Sequence, residues 1–177
     1  MRPRKRQPGA AGGGDPACVQ PSWDAYFHAK LTTPFAVLGI RTAGERLTDI
    51  VYLPRGVATL DPLNRLAAET CRQVRRYLDD PEYRFELPFE YDGTPFQRKV
   101  WREIYAIASG ATLTYSDIAR KLRSAPRPVG GACGANRIPL VIPCHRVVAS
   151  GGIGGFMHAR AGAPIAIKQW LLRHEGA

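Results

Sequence analysis

Apolar residues in the first half of the chain follow two different rhythms. Ala36–Ile40 and Leu47–Leu53 are short β-prone runs, and Arg41–Arg46 between them carries Ala43-Gly44, a pair suited to a turn. Together they predict a β-hairpin. From Asp61 to Leu78 the spacing becomes helical: Leu63, Leu66, Ala67, Thr70, Cys71, Val74 and Leu78 share one face, with Pro62 at the first helical position. Residues 21–90 are thus expected to form a small α/β domain, a small sheet with a helix, with structure beginning near Trp23. Nothing in that stretch forms a catalytic constellation.

The second half reads as mainly α. After a linker at 89–93, Thr94 suits a helix cap, Pro95 the first helical position and Gln97 the reciprocal position of a capping box. Phe96, Val100, Trp101, Ile104 and Ala108 form the apolar face of this helix, and Gly110 is expected to end it. Thr114 with Asp117 opens a second, short helix through Leu122 that buries Ile118 and Ala119. A turn at Arg123–Ala125 follows, and two short segments joined this tightly resemble a helix-turn-helix. Propensity argues against the second of those segments. Gly130, Gly131 and Gly134 each cost a helix interior about 1 kcal/mol relative to Ala, so 126–136 reads as a loop on its own terms. Leu140-Val141-Ile142 reads as a short extended run broken by Pro143, and 149–162, with five glycines, as a flexible loop. A last helix starts at Pro164 or its neighbours, with Ile167, Trp170 and Leu171 inward, and ends in Arg173-His174-Glu175-Gly176.

Charge divides the chain in the same way. Residues 1–20 carry four Lys/Arg against one Asp, residues 21–90 nine against ten acids, and residues 91–177 twelve against four. The first stretch, rich in Pro, Gly and basic residues, has almost nothing to bury and is expected to be a disordered basic tail. The basic second half points to a polyanionic partner. No apolar run reaches the roughly 18 residues of a membrane span, and no apolar stretch follows the basic start, so no membrane partner and a cytoplasmic location are expected.

Four cysteines, Cys18, Cys71, Cys133 and Cys144, lack the close spacing of a zinc knuckle, so no metal and no cofactor are expected. At least one thiol is then free to act as a nucleophile. A free thiol is mostly protonated at neutral pH and needs a base; His145 directly follows Cys144. Neighbours in extended backbone face opposite ways, so the pair needs either a turn, which Pro143 favours, or a bridging water. A carboxylate is wanted behind the histidine, and residues 91–177 hold only Asp92, Glu103, Asp117 and Glu175. Glu103 falls on an exposed helix side and Asp117 on a cap, which leaves Glu175 as the best partner by elimination. For an isolated Cys-His pair, a buried small thiol and a satisfied core histidine are the ordinary alternative.

The run Ile142-Pro143-Cys144-His145-Arg146-Val147 resembles the acceptor-cysteine signature of the O6-alkylguanine-DNA alkyltransferases, the methylated-DNA–protein-cysteine methyltransferases. The resemblance continues in order from Phe96-Gln97 and Val100-Trp101 through Thr114-Tyr115, Ile118-Ala119, Arg127, Val129-Gly130, Gly134 and Asn136 to Lys168, Trp170-Leu171-Leu172 and His174-Glu175. It implies single-turnover transfer of an alkyl group from O6-alkylguanine, with O4-alkylthymine as a further substrate, to Cys144 of a monomer bound in the minor groove of alkylated double-stranded DNA. It implies that His145 is the base acting through a water and Glu175 the carboxylate behind it, and that Asn136 is the hinge to the recognition helix. Tyr115 would rotate a nucleotide's phosphate and donate a proton to the leaving base, and Arg127 would fill the vacated place in the duplex. Gly130 and Gly131 would lie on a recognition helix spanning 126–135, against the loop reading, and the backbone of Val147 would read the flipped base. The chain departs from the family pattern at a shorter turn before Arg127, at Arg137 where a proline is usual, and at a longer 155–165 loop. The alternative is a non-enzymatic relative that only binds alkylated DNA; such relatives lack the acceptor cysteine, which Cys144 supplies.

Overall fold

A computed structural model describes residues 26–177. The expected basic tail, Cys18 and Trp23 lie outside the described residues. Strands β1 (Ala29–Thr32), β2 (Val37–Ala43) and β3 (Arg46–Leu53) form an antiparallel sheet in that order. The β2–β3 hairpin is the predicted one, turning through Gly44 at φ +56°, a left-handed conformation that costs glycine little. β1 was not legible: four residues give no alternation, and its pairing, Ala29 opposite Ile40, is long-range. His28, just before it, accepts a hydrogen bond at Nδ1 from the Thr42 amide at 3.1 Å and so serves the sheet.

Helix α1 (Arg65–Asp79) crosses the sheet and buries Ala67, Thr70, Cys71, Val74 and Tyr77. It starts four residues later than the pattern suggests, because Asn64 caps it by accepting from the Ala67 amide at 2.8 Å. Leu63 therefore precedes the helix and is 65% exposed instead of sharing its inner face.

Both capping boxes form. Thr94 and Gln97 open α2 (Pro95–Tyr105), and Thr114 and Asp117 open α3 (Tyr115–Lys121). α2 ends at Tyr105, not at Gly110; Ile107 is still buried but Ala108 is exposed, and Gly110 turns the chain at φ +73°. A two-residue strand β4 (Leu113–Thr114) then pairs in parallel with β5 (Val147–Val148), which sets the start of α3 beside the segment carrying Cys144.

The 126–136 stretch is not a loop. Helix α4 spans Pro126–Gly134, and packing overrides propensity there. Pro126 and Pro128 fall in the first turn, where amides lack helical partners anyway. Val129 and Ala132 are buried where α4 packs against α2 and α3, and the Trp101 indole donates to the Ala132 carbonyl at 2.8 Å. Burying Val129 contributes about 1.5–3 kcal/mol, which offsets much of the glycine cost. Leu140–Ile142 is not extended either. It is a buried turn with Leu140 at φ +73° and the Ile142 amide donating to the Ile138 carbonyl. Helix α5 (Ala163–His174) closes the chain as expected.

The two halves are joined by Arg137. Its guanidinium holds the nearly buried Asp49 of β3 through two hydrogen bonds, at 2.9 and 3.1 Å, and reaches Asp92 at 3.2 Å; its carbonyl accepts from the Ile50 amide at 2.9 Å. Arg137 is thus a clamp between the sheet and the segment that leads to Cys144. Arg137→Ala leaves the Asp49 carboxylate with no guanidinium, and we expect a loss of about 1–2 kcal/mol, read as a lower thermal midpoint with transfer rate nearly unchanged.

Candidate active site

Pro143 turns the chain so that Cys144–Arg146 forms one 3₁₀ turn. Cys144 and His145 are both buried, and the turn aims them into different surroundings. Asn136, just past the end of α4, is the hub on the thiol side. Its Nδ2 donates to the Cys144 Sγ at 3.2 Å and to the Ile142 carbonyl at 2.8 Å, while its Oδ1 accepts from the Ile138 amide at 3.1 Å. Burial pushes the thiol pKa up; the Asn136 hydrogen bond and the Lys168 ammonium pull it partly back. At rest the sulfur is a thiol, held by a donor suited to a thiolate.

On the other side, His145 Nε2 lies 2.9 Å from Glu175 Oε1. Glu175 also accepts from Tyr77 Oη at 2.7 Å, from Arg146 Nε at 2.8 Å and from Arg146 Nη2 at 2.9 Å. Burial alone would raise the Glu175 carboxyl; hydrogen bonds from His145, Arg146 and Tyr77 hold it at about 2. An ionised carboxylate only accepts, so the proton on the His145 ring sits on Nε2 and the Nδ1 lone pair is free to act as a base. Burial lowers the His145 pKa, with Glu175 opposing, so the ring rests neutral.

Of the four acids in the second half, Glu175 is the one that meets His145, while Asp117 caps α3, Glu103 pairs with Lys121 at 3.1 Å and Asp92 with Arg137. The sequence reading missed three contributors. Tyr77, 1% exposed, comes from α1, in the unit that offered no constellation, and touches a carboxylate 98 positions away. Arg146 is fixed further by donating to the Ile107 carbonyl at 2.5 Å. Lys168 is fully buried, donating to the carbonyls of Val147 at 2.6 Å and Gly155 at 3.0 Å, and burial lowers its pKa to about 8. A lysine within the apolar face of the last helix was the available signal for it.

A cleft of about 580 Å³ opens onto Cys144, lined by Tyr115 and Arg127 on one wall and by Phe156, His158 and Arg160 on the other. Tyr115 begins α3; its hydroxyl donates to the Gly155 carbonyl at 3.0 Å, and burial raises its pKa to about 12, so it stays a proton donor. Arg127 is exposed at the second position of α4. Gly131 faces open space on that helix and Gly130 lies 3.9 Å from Tyr115 at its missing Cβ. At Gly134 a Cβ would meet the exposed His158 imidazole, so a larger residue there would have to displace that ring. Val147 is buried in β5, and its carbonyl accepts from Lys168 at 2.6 Å. The 155–165 loop folds back on itself through paired hydrogen bonds between Phe156 and Ala159, with Met157 and His158 in the left-handed region. Among the described residues no group of three His, Cys, Asp or Glu is placed to hold a metal, and no helix is long and apolar enough to cross a membrane.

The model of the 6-O-methylguanine DNA methyltransferase DNA-binding domain matches residues 95–177. The methylated-DNA–protein-cysteine methyltransferase of Candida albicans is 45% identical over 150 residues, 80% of this chain and 83% of the relative. The chain belongs to the methylated-DNA–protein-cysteine methyltransferase family. Against the methyltransferase of that name from Shigella flexneri, identity is 46% over 92 residues, so the chain spans about half of that relative's length (52%). Among solved structures, the Mycobacterium tuberculosis methyltransferase described as OGT in complex with DNA matches with a TM-score of 0.69 and 30% identity, over 83% of this chain and 91% of that one. Methyltransferases of this family thus share with the chain both its small antiparallel sheet and the helices that surround the cysteine.

Proposed function

We propose that this methyltransferase repairs O6-alkylguanine, and by the same chemistry O4-alkylthymine, in double-stranded DNA by taking the alkyl group once onto Cys144. The observation that carries the reading is the ordered pair of environments around one turn: a thiol with an amide donor on its sulfur, and a neutral imidazole whose Nε2 is tied to an ionised carboxylate. The Cys144 proton passes through a water to His145 Nδ1, and Glu175 stabilises the imidazolium that forms. The thiolate Sγ forms a bond to the alkyl carbon as the bond from that carbon to guanine O6 breaks, and the electron pair stays on the base. Tyr115 supplies a proton to the departing guanine and regains one from solvent. The product is a thioether, which has no good leaving group, so each molecule acts once.

The target oxygen is paired inside the duplex, so the base has to leave the stack at a cost of a few kcal/mol. Helices α3 and α4 and the turn between them act as a helix-turn-helix in this proposal. The side-chain-free surface at Gly130 and Gly131 allows close approach to the minor groove, and Arg127 occupies the place of the extruded base. The protein works as a monomer in the cytoplasm. Incubation with O6-benzylguanine should add one benzyl group to the Cys144 peptide by mass spectrometry; an unmodified Cys144 after exhaustive incubation would return the chain to a binding-only role. Arg127→Ala should slow repair of duplex substrate about tenfold while leaving attack on the free base unchanged, since only the duplex reaction includes extrusion. Equal slowing of both reactions removes Arg127 from the wedge position.

A further inference from the structure

Two buried side-chain polar atoms among the described residues have no hydrogen-bond partner in the protein: His145 Nδ1 and the Tyr52 hydroxyl. Buried polar groups are almost always paired, with protein or with water. The first atom is the basic nitrogen of the relay. The second belongs to β3 of the small sheet, in the half of the chain without chemistry of its own. The Tyr52 ring sits between Phe35, 6.0 Å away between ring centroids, and Phe156, 5.9 Å away, and Phe156 lines the cleft alongside Cys144. The ring thus packs against a residue of the cleft wall, and its buried hydroxyl lies within electrostatic reach of Cys144.

We infer that the Tyr52 hydroxyl is the third partner of the water through which Cys144 hands its proton to His145, which makes Tyr52 a positioning residue for alkyl transfer. The inference rests on the relay proposed above. A buried bridging water typically makes two to four hydrogen bonds. Here its oxygen accepts from the phenol O–H and from the thiol S–H, and one of its hydrogens points at His145 Nδ1. With one lone pair held by Tyr52, the water is oriented before the substrate arrives; the phenol gives a hydrogen bond and keeps its own proton. Burial, then the proximity of Cys144, Tyr77 and Glu175, keeps that phenol protonated far above neutral pH, so it can only be a donor. The titratable groups within electrostatic reach of Tyr52 are Cys144 of the 3₁₀ turn, Tyr77 of α1 and Glu175 after α5, and those within reach of the Cys144 thiol include Lys168 of α5 and Cys133 of α4.

Tyr52→Phe keeps the ring packing and removes only the hydroxyl. Inactivation by O6-benzylguanine near neutral pH should slow about three- to tenfold, the size of one hydrogen bond. The deficit should close at alkaline pH, where hydroxide takes the thiol proton, and the thermal midpoint should not fall. Were the hydroxyl mere filler, phenylalanine would serve as well, and superimposable pH–rate profiles overturn the inference. His145→Ala, run beside it, separates the two levels. A slow His145→Ala with an unimpaired Tyr52→Phe removes Tyr52 and leaves the relay; no slowing in either removes both. A high-resolution crystal structure of the unaltered protein is independent of any variant's folding. A water within hydrogen-bond reach of Tyr52 Oη, His145 Nδ1 and Cys144 Sγ is expected, and a Tyr52-bound water that reaches neither of the other two overturns the inference.

Discussion

Cys144→Ala is expected to abolish alkyl transfer altogether while binding to methylated duplex persists with its salt dependence intact. The variant removes the only sulfur that Asn136 holds and leaves α4, Arg127 and the basic face in place. Affinity comes largely from phosphate contacts, which release counterions and weaken steeply as salt rises, and none of those contacts involves the thiol. In the proposed single-use reaction the loss of transfer should be complete, because Cys144 is itself the acceptor and nothing downstream replaces it. Cys133 is the one neighbour that could contradict this. It also lines the cleft, but burial holds its thiol far above the usual range. The measurement is intact-protein and peptide mass after incubation with O6-benzylguanine. A benzyl adduct on Cys133 or elsewhere in Cys144→Ala would overturn the acceptor assignment.

The second large effect concerns the base. In the resting site the thiol is pushed up and the imidazole pushed down, so there is no standing thiolate–imidazolium pair at neutral pH. In the proposed relay the proton then moves only as the alkyl carbon is attacked. The acid limb of the pH–rate profile is then set by His145: below its lowered pKa the ring is already protonated and the relay is blocked, and above it the rate reaches a plateau. That puts the limb below 6.5, the usual histidine value, and well below the 9.0 of an ordinary thiol. His145→Ala should lower the plateau by on the order of 10²–10⁴-fold, the range of general base catalysis, and move the rise to alkaline pH, where hydroxide does the work. Glu175→Gln removes the charge that stabilises the imidazolium, and each pKa unit lost by His145 is worth about tenfold. Superimposed profiles for the unaltered protein and Glu175→Gln, with circular dichroism unchanged, would reduce Glu175 to a helix terminator. Glu175→Gln also strips Arg146 of its ion pair, so His145→Ala carries the test if that variant unfolds.

How much of this could be read from residues follows the range of each signal. The two capping boxes were legible to the residue because Thr94 with Gln97, and Thr114 with Asp117, act within one helical turn. The hairpin and α5 were legible for the same reason, as periodicity over a short stretch. α4 was not, since three glycines carry a local penalty and the compensation comes from Val129, Ala132 and the Trp101 indole, a partner 31 positions away. Cys144 and His145 announce themselves by adjacency, and Glu175 by the scarcity of acids. Tyr77 and Tyr52 announce nothing. Each looks like one more aromatic of a sheet-and-helix layer, and only folding brings their hydroxyls to the back of a site whose chemistry is written in the other half.

The fourfold grip on Glu175 also bears on modularity. The boundary near residue 90 marks a change in charge and in element type, but it is not a seam along which the molecule separates. A fragment of residues 91–177 would retain the cysteine, the histidine, the asparagine and the carboxylate, every group that a motif search would collect. It would leave Glu175 without the Tyr77 phenol, Arg137 without Asp49, and the His174 ring without the Tyr77 carbonyl 2.9 Å away. Helix α1 therefore helps to hold the site's carboxylate through Tyr77, while β3 is tied to the second half through Asp49 and Arg137. Inheritance should respect that bond: changes at Tyr77 or Asp49 are constrained by residues on the far side of the boundary, and exchange of one half between homologues carries the cost of refitting the carboxylate.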